Sequence, residues 1–476
     1  MEPNSYRPLH DLPPLAGITS IDDAMRIGFS VEDCVARLKR HHWAFRRLHG
    51  IFIQRLTAEP IYELKMAFSL HAHYCAEHAA AWRRRVGEMR EPPLGLDAVP
   101  NAALEVFFDE LLAAPETDAL LFGVYEHALP ALLEALQRHM AATNRLIDHP
   151  SFRLCRFAVI EVVEMLDFGA KAVARLLPPP RRAALGEWSA LLQDLLQRAG
   201  GLDGSAPVRD GPLRRLYSAQ APALDKKPRR DERFVDPFNM GVHAEAFLYD
   251  EKFPPAPKTL MLYYKRLREI DVPEMMATII AETRDKPWDY YVDMTRQLWD
   301  EARHAMMGEV GFVRAGIDWR TLVRINFTWS LALNTQLNPL ERHAVLYFIE
   351  QGLMPKTGKR FEWETGVASG DEYAAMVQDY DWADEVLHAR IGRDWYVKAI
   401  GDARKAVEYG DACWSRVLID WQSYLAAGLT RHENWWPAAY REWCRVQGHT
   451  PDPAVLAYAT SYEQVRADLK PLTSSG

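Results

Sequence analysis

Apolar residues recur at intervals of three and four along most of the chain, which is the period of an amphipathic α-helix. The stretch 61–90, IYELKMAFSLHAHYCAEHAAAWRRRVGEMR, has this period throughout and carries a basic run near its C-terminal end, where cations suit the helix dipole. Similar patterns cover about 34–56, 117–145 and 151–177, and prolines 178–180 stop the last of them. Convincing alternating strands are nearly absent, so the pattern predicts an all-α protein.

Changes in this pattern divide the chain into five predicted segments. Four helices in sequence predict an up-down helical bundle in the N-terminal part. Runs rich in Gly, Pro and charge, such as GGLDGSAPVRDGP, KKPRRDERF and FPPAP, interrupt the pattern and predict a linker or wrapping segment. Helical periodicity then resumes to the end of the chain. The segments are an extension (1–21), the first bundle (22–198), the linker (199–257), a second helical domain (258–400) and a helical extension (401–476).

The second helical domain begins with a predicted hairpin. Its first helix covers about 258–284 and is either kinked at Pro273 or divided into two helices with Asp271 as the cap of the second. A turn at 285–287 leads to the second helix, at about 288–308.

Another hairpin follows an apolar helix predicted at 319–337. Its first helix runs from the cap Asn338 and the first-turn Pro339 to Gly352. A loop rich in Lys and Gly separates it from the last helix, which begins after Ser369 and contains DWADEVLHAR.

The second helix of each hairpin contains a Glu-x-x-His pair. The pairs are Glu301 with His304 and Glu385 with His388. Residues three apart lie on one helix face, so a carboxylate and an imidazole at this spacing can bind one ion. Each pair taken alone is weak evidence, because such pairs arise by chance in a chain with 65 acidic residues and 16 histidines. An isolated pair is more often a surface or salt-bridge pair.

A dimetal site in a four-helix bundle also needs one glutamate from the first helix of each hairpin. Counting from the presumed turns at 1.5 Å per residue places Glu274 within one turn of the height of Glu301, and Glu341 at roughly the height of Glu385. Glu269 and Asp271 remain alternatives in the first hairpin if a kink shifts the register. Glu282 and Glu350 lie too near the presumed turns to match the heights of the Glu-x-x-His pairs, so they are not the preferred ligands.

Charged neighbours of the two pairs are candidates for holding the ligands in place. Asp300 and Asp384 each precede a candidate glutamate by one residue, and Arg303 and Arg390 lie close by in the sequence. Hydrogen bonds from such residues commonly orient metal-binding side chains. Two pairs, each with a level glutamate and with acidic neighbours, favour a metal centre.

With these motifs, the chain resembles the ferritin-like superfamily of non-haem dimetal carboxylate proteins over about 258–395. It is similar to bacterial proteins described only as containing a ferritin-like domain, through QLWDEARHAMMGE, EQGLMP and DYDWADEVLH. The resemblance implies a ferritin-like four-helix bundle that binds two Fe ions, or one Mn and one Fe. The implied ligands are Glu274, Glu301, His304, Glu341, Glu385 and His388.

The same resemblance implies an oxidase or oxygenase that uses O2 as a co-substrate and an external reductant to oxidise a small organic molecule. Two other functions remain open from the sequence: a ferroxidase or iron-handling protein, and a metal-free helical interaction protein. The first bundle resembles a degenerate copy of the fold without any Glu-x-x-His. Its candidate donors are better explained by packing, dimerisation or substrate gating: His71, His73, Glu77, His78, Glu161 and Glu164.

The composition of the chain argues against some classes of binding partner. The 476 residues carry a formal charge of -8, which does not favour nucleic-acid binding. Neither a secretory signal nor an apolar run of about 18 residues is apparent, so we expect a cytoplasmic protein without membrane contact. The five cysteines lack Cys-x-x-Cys spacing and are expected to be reduced thiols. A homodimer is compatible with these features.

Overall fold

The computed structural model describes residue 6 and residues 8–90, 95–419 and 421–465. Within these residues all regular elements are helical and no β-strand occurs, which confirms the prediction of an all-α protein. The chain divides into two compact units. The first contains the described residues up to Phe52 together with His71–Ala223, and the second contains Ile53–Leu70 together with the described residues from Leu224 onward.

The helices of the first unit, with the segment that interrupts it, follow the predicted pattern closely. A π-helical turn at Val124–Ala128 joins two of them, and the longest ends just before the three prolines. After a short 3-10 turn at Leu15–Gly17, the helices are α1 (Ile21–Ala24), α2 (Val31–Leu56), α3 (Tyr62–Glu88), α4 (Ala102–Leu112), α5 (Thr117–Gly123), α6 (Leu129–Ala142), α7 (His149–Leu176), α8 (Pro179–Ala184) and α9 (Gly186–Arg198).

One helix among the described residues, Thr117–Ala142, is long and apolar enough to cross a membrane, but 72% of its most apolar window is buried. That degree of burial is typical of a core helix in a soluble protein. All five cysteines are buried and free.

The second unit contains the remaining helices. They are α10 (Ala244–Leu248), α11 (Pro255–Arg268), α12 (Asp271–Glu282), α13 (Trp288–Arg314), α14 (Trp319–Leu322), α15 (Thr328–Gln336), α16 (Pro339–Gly352), α17 (Lys359–Ser369), α18 (Glu372–Gly392), a π-helical turn (Arg393–Val397), α19 (Lys398–Ile400), α20 (Ala403–Arg416), α21 (Trp421–Ala426), α22 (Trp436–Gln447), α23 (Pro453–Leu456) and α24 (Tyr462–Val465).

Two details of the predicted helices are wrong. The single helix expected at 319–337 is two helices, α14 and α15, separated by a non-helical stretch. The Lys- and Gly-rich loop expected after Gly352 contains a further helix, α17. Because α17 continues the first helix of the second hairpin, the turn of that hairpin lies at Gly370 and Asp371, between α17 and α18.

Four helical rods pack side by side in the second unit. Two of them, α13 and α18, are continuous, and each of the other two is divided: α11 with α12, and α16 with α17. α11 packs on α13, α17 and α18, while α12 packs on α13 and α16. α13 approaches α11 closely because Gly308 has no side chain: an added Cβ would lie 2.3 Å from the Leu267 amide nitrogen.

The two breaks have local causes. Pro273 has no N–H to donate to the carbonyl of Glu269, so the helical hydrogen-bond pattern is interrupted between α11 and α12. In the other rod, Gly358 precedes α17, where an added Cβ would lie 2.1 Å from the carbonyl oxygen of Leu353. Each break exposes the side chain of a nearby glutamate to the space between the rods.

Residues from Leu224 to the start of α11 belong to the second unit. Phe234, Val242, Phe247 and Phe253 are buried in the apolar core that α11, α13 and α22 share.

Candidate metal centre

The two continuous rods carry the same series of polar residues at the same spacing. In each series an acid or amide lies four residues before the glutamate, an aspartate one before it and a histidine three after it. On α13 these are Gln297, Asp300, Glu301 and His304, and on α18 they are Asp381, Asp384, Glu385 and His388. The spacing places all four residues near one helix face, and these faces meet in the bundle interior.

Each histidine is held by the aspartate of the opposite helix. Nε2 of His304 lies 3.2 Å from Oδ2 of Asp384, and Nε2 of His388 lies 3.4 Å from Oδ2 of Asp300. An Nε2–H that donates to a carboxylate leaves the lone pair of the imidazole on Nδ1. Both rings therefore present Nδ1 to the space between the helices.

The predicted orienting role of the acidic neighbours agrees with this arrangement. Arg303 donates to Asp300 at 2.5 Å and to Asp384 at 2.7 Å, so one guanidinium links both aspartates. Arg390, the other predicted member, lies exposed on α18.

Glutamates of both pairs face the inward nitrogens. Nδ1 of His388 lies 3.2 Å from Oε1 of Glu301 and 3.7 Å from Oε2 of Glu385. Nδ1 of His304 lies 3.7 Å from the other oxygen of Glu301, Oε2. The carboxylate of Glu301 thus spans the two histidines. The structure brings together these four sequence-predicted residues, all of them buried.

Carboxylates at the breaks of the divided rods complete two groups of donors. Oε2 of Glu269, which follows α11, lies 3.4 Å from Nδ1 of His304. Glu350, near the end of α16, accepts from Nε2 of Gln297 at 3.1 Å. Glu385 belongs to both groups, and the donor atoms of each lie within 4.8 Å of one another: Glu269, His304, Asp381 and Glu385 in the first, Glu301, Glu350, Glu385 and His388 in the second.

The other two predicted ligands lie away from these groups. Glu274 is buried in an ion-pair network, where Lys65 lies 2.6 Å away and Arg230 3.0 Å away. Glu341 caps the start of α16, where it accepts from the amide of Asn338 and from Arg416. The positions level with the two pairs are therefore those of Glu269 and Glu350, not those of Glu274 and Glu341.

The positions of the true helix ends explain this difference. Glu269 precedes the end of α12 by 13 residues, and Glu301 follows the start of α13 by 13 residues, so the two are level. The sequence prediction counts from Lys286 and accepts a match within one helical turn, so it admits Glu274, which lies only eight residues before the end of α12. In the second hairpin, α17 extends the rod beyond Gly352, which brings Glu350 to the middle of the bundle rather than to its end.

Two basic side chains also enter the first donor group. Nζ of Lys359 lies 3.0 Å from both oxygens of Asp381 and 2.8 Å from Oε1 of Glu385. Arg266 pairs with Asp381 and with Glu269. The sequence prediction missed these residues. Asp381, however, could have been found from its position four residues before Glu385, on the same helix face.

The inward-facing donor atoms lack hydrogen bonds. Five buried atoms around the centre have no hydrogen-bond partner among the described residues: Nδ1 of His304, Nδ1 of His388, and Oε2 of Glu269, Glu350 and Glu385. Leaving buried polar atoms unpaired is costly, and each unmet hydrogen bond costs roughly 1–3 kcal/mol. All five are atoms that can bind a metal ion, so the donor set fits a metal centre.

The electrostatics of the cluster also favour a cation. Burial and the neighbouring carboxylate of Glu385 raise the pKa of Glu350 well above its usual range. Burial acts against a charged imidazole at His304, but the carboxylates of Asp384, Glu269 and Glu301 outweigh it and raise the pKa of His304 to about 10. The contribution of the carboxylates to both shifts reflects negative potential at the centre of the bundle, which attracts divalent cations.

A cavity of about 350 Å³ adjoins the centre. Glu269, Glu301, Glu350 and Glu385 form one end of it. The wall between the helices is largely apolar, and its main residues are Trp329, Leu333, Leu346, Ile349, Leu353 and Trp414. Such a cavity can bind a small, mainly apolar molecule next to the donor groups.

Comparison of the chain with protein-family models, with curated proteins and with solved structures found no match.

Proposed function

We propose that this centre holds two transition-metal ions in a ferritin-like bundle, and that the protein is an oxidase or oxygenase of a small organic molecule. The observation that carries the proposal is the set of five buried donor atoms that face one another without a hydrogen bond among the described residues. Carboxylate and imidazole donors suit iron and manganese, so two Fe ions, or one Mn and one Fe, are the expected metals. When bound, they supply reduction of O2 coupled to oxidation of the substrate.

The protein groups around the ions have distinct roles in this proposal. Glu301 faces both histidines and Glu385 belongs to both donor groups, so these two carboxylates would help to hold the ions. Glu269 and His304 of one group, and Glu350 and His388 of the other, would supply further ligands.

Residues outside the donor groups control the protonation and charge of the metal-binding side chains. Asp300 and Asp384 hold a proton on Nε2 of the histidine that each faces, which keeps Nδ1 free to bind. Lys359 and Arg266 pair with Asp381 and limit the repulsion among the buried acids.

The adjoining cavity supports an organic substrate rather than iron storage. Its largely apolar wall excludes water and gives an apolar molecule a place beside the carboxylates. The electrons that O2 reduction requires would come from an external reductant. We further propose a cytoplasmic protein that binds neither nucleic acid nor membrane and that forms a homodimer.

An anaerobic titration with Fe(II), followed by O2 and optical spectroscopy, tests the proposal. We expect about two Fe(II) per chain to bind and to be oxidised on addition of O2. Protein that binds no Fe(II) or Mn(II) would exclude the metal centre. Continued Fe(II) oxidation with growth of a mineral would favour the ferroxidase alternative.

The assignment of Glu350 predicts a specific loss of metal. The Glu350→Gln variant keeps the side-chain volume but removes one anionic donor, so we expect it to bind Fe(II) at least about tenfold more weakly. Glu341→Gln is the matched control, on the same helix but outside the cluster, and should bind Fe(II) like the unmodified protein. Equal Fe(II) affinity in both variants, measured by anaerobic titration, would refute the assignment.

The assignment of the cavity predicts a steric effect. In Leu353→Trp the larger side chain fills part of the cavity, and an overpacking cost of about 1–3 kcal/mol on probe binding corresponds to a loss of probe affinity of roughly 5- to 150-fold. Indole, titrated by calorimetry, is a suitable apolar probe. Met354→Trp is the matched control, because Met354 is similarly half-buried but does not line the cavity. The cavity assignment fails if both variants bind indole equally well.

A further inference from the structure

The first unit contains a second cluster of metal-binding groups, formed by two histidines and a cysteine. His41 lies on α2, His139 on α6 and Cys155 on α7. One donor atom from each lies within 4.8 Å of the other two, and all three side chains are buried. The residues are far apart in the sequence and share no motif spacing, so the sequence alone gives no signal for them.

The four imidazole nitrogens of this cluster have no hydrogen-bond partner among the described residues. The rings of His41 and His139 lie 5.4 Å apart, centroid to centroid. A neutral imidazole has one donor and one acceptor, and burying both without partners on two adjacent rings is unfavourable. A metal ion that accepts one lone pair from each ring satisfies both acceptors at once.

The surroundings of His139 support this role. Its Nε2 lies 3.8 Å from Oδ2 of Asp148, an aspartate that also accepts from Thr143 at 3.0 Å and pairs with Arg85 at 3.0 Å. A carboxylate beside the second nitrogen of an imidazole is the usual outer partner of a metal-binding histidine. The thiol of Cys34, which lies nearby, donates a hydrogen bond to Asp148 at 3.2 Å. Cys34 therefore already has a hydrogen-bond partner.

The protonation of the cluster is compatible with metal binding. Burial, with a smaller contribution from His139, lowers the pKa of His41 to about 3, so this ring is neutral and has a free lone pair. The thiol of Cys155 is protonated in the absence of a metal, because burial raises its pKa. Binding transfers the thiol proton to solvent as the metal–sulfur bond forms.

We propose that His41, His139 and Cys155 form a buried structural site for a thiolate-binding metal ion, with Zn²⁺ as the expected occupant. Two imidazoles and one thiolate are a donor set that zinc prefers, whereas the oxygen-rich centre of the second unit suits iron or manganese. Zn–N and Zn–S bonds of about 2.0–2.3 Å require the donors to approach by roughly 1 Å. The three protein donors leave the fourth position of a tetrahedral zinc ion to a further ligand, and their burial keeps the site away from bulk solvent, which suits a structural role.

The site differs from the role that the sequence predicts for this part of the chain. The histidines singled out there are partnered in the structure: Nδ1 of His71 hydrogen-bonds with Tyr125 at 2.8 Å, and Nε2 of His78 lies 2.6 Å from Glu161. The metal-binding candidates are instead His41 and His139.

Titration of the metal-free full chain with Co²⁺ tests the proposal. Cobalt bound to a thiolate absorbs in the near ultraviolet through charge transfer, and the centre of the second unit contains no sulfur donor that could give this band. We expect the band to saturate at an amplitude that corresponds to one cobalt–thiolate site per chain and to disappear when Zn²⁺ is added. Absence of the band from the unmodified protein would overturn the proposal without reference to any variant.

Two substitutions test the ligand assignment. Cys155→Ser should abolish the band, whereas Cys75→Ser, which alters another buried cysteine of the same unit, should keep it. His41→Ala should weaken Co²⁺ binding by at least about tenfold, because removing a metal ligand lowers metal affinity more than removing a hydrogen-bond partner of a ligand does. A band that survives Cys155→Ser, or that is lost equally in Cys75→Ser, overturns the assignment.

His388→Ala separates this site from the proposed dimetal centre. We expect this variant to keep the cobalt–thiolate band, because its substitution lies in the other unit. The two proposals can therefore fail independently.

Discussion

Replacing His388 with alanine is expected to abolish O2 consumption with Fe(II) and to weaken Fe(II) binding by more than about 100-fold. The substitution removes the Nδ1 that faces Glu301 and Glu385 and leaves those carboxylates without their neighbouring imidazole. His304→Ala should have a similar effect, because His304 occupies the equivalent position on the other helix. Metal analysis and an oxygen electrode measure both effects, and circular dichroism should show that the helices are retained.

His343→Ala provides the control for this experiment. His343 is buried in the same unit, on α16, but lies outside both donor groups, so its removal leaves a comparable cavity without removing a donor. We expect its iron content and O2 consumption to equal those of the unmodified protein. Normal Fe(II) binding and O2 consumption in His388→Ala would refute the proposed centre.

The sequence was sufficient to identify the helix faces that form the centre. A Glu-x-x-His pair fixes its own geometry, because residues three apart on any regular helix share a face. The pairs at Glu301 and Glu385 therefore meet in the structure as expected. The aspartates that precede them were also predictable, since each occupies the position from which it can reach the histidine of the other helix.

The partner glutamates could not be assigned with the same accuracy, because their height depends on where a helix stops. A loop adds residues without adding rise along the bundle axis, so a count from the presumed turn matches heights only to within about one helical turn, which does not separate Glu274 from Glu269. The weak helical signal of α17 caused a larger error in the second hairpin, where Glu350 was taken to lie at the end of the bundle.

The zinc site was beyond sequence reasoning for a different reason. His41, His139 and Cys155 come from three helices, and nothing in their spacing relates one to another. Only the packing of α2, α6 and α7 brings the donors together. Periodicity predicts that each helix has a buried face, but it does not predict which buried residues of different helices are neighbours.

Glu274 gives the second large expected effect, which concerns stability rather than metal binding. Its carboxylate is fully buried between Lys65 and Arg230 and also accepts from Ser330 at 3.1 Å. Glu274→Ala leaves two cations buried without this partner, and breaking a buried ion pair in this way costs about 3–5 kcal/mol. We expect a loss of that size in the free energy of unfolding, measured by urea denaturation of the metal-free protein.

The same variant separates the two possible registers of the first hairpin. If Glu269 is the ligand, folded Glu274→Ala protein should bind Fe(II) with the affinity of the unmodified protein, while Glu269→Gln should bind it at least about tenfold more weakly. Glu269→Gln should also lose less stability than Glu274→Ala, because Arg266 keeps Asp381 as a partner. If Glu274 were the ligand, the order of the two Fe(II) affinities would be reversed. Because Glu269 lies at the helix break beside the cavity and Glu274 lies among its cations, we expect stability and metal binding to depend on different glutamates only five residues apart.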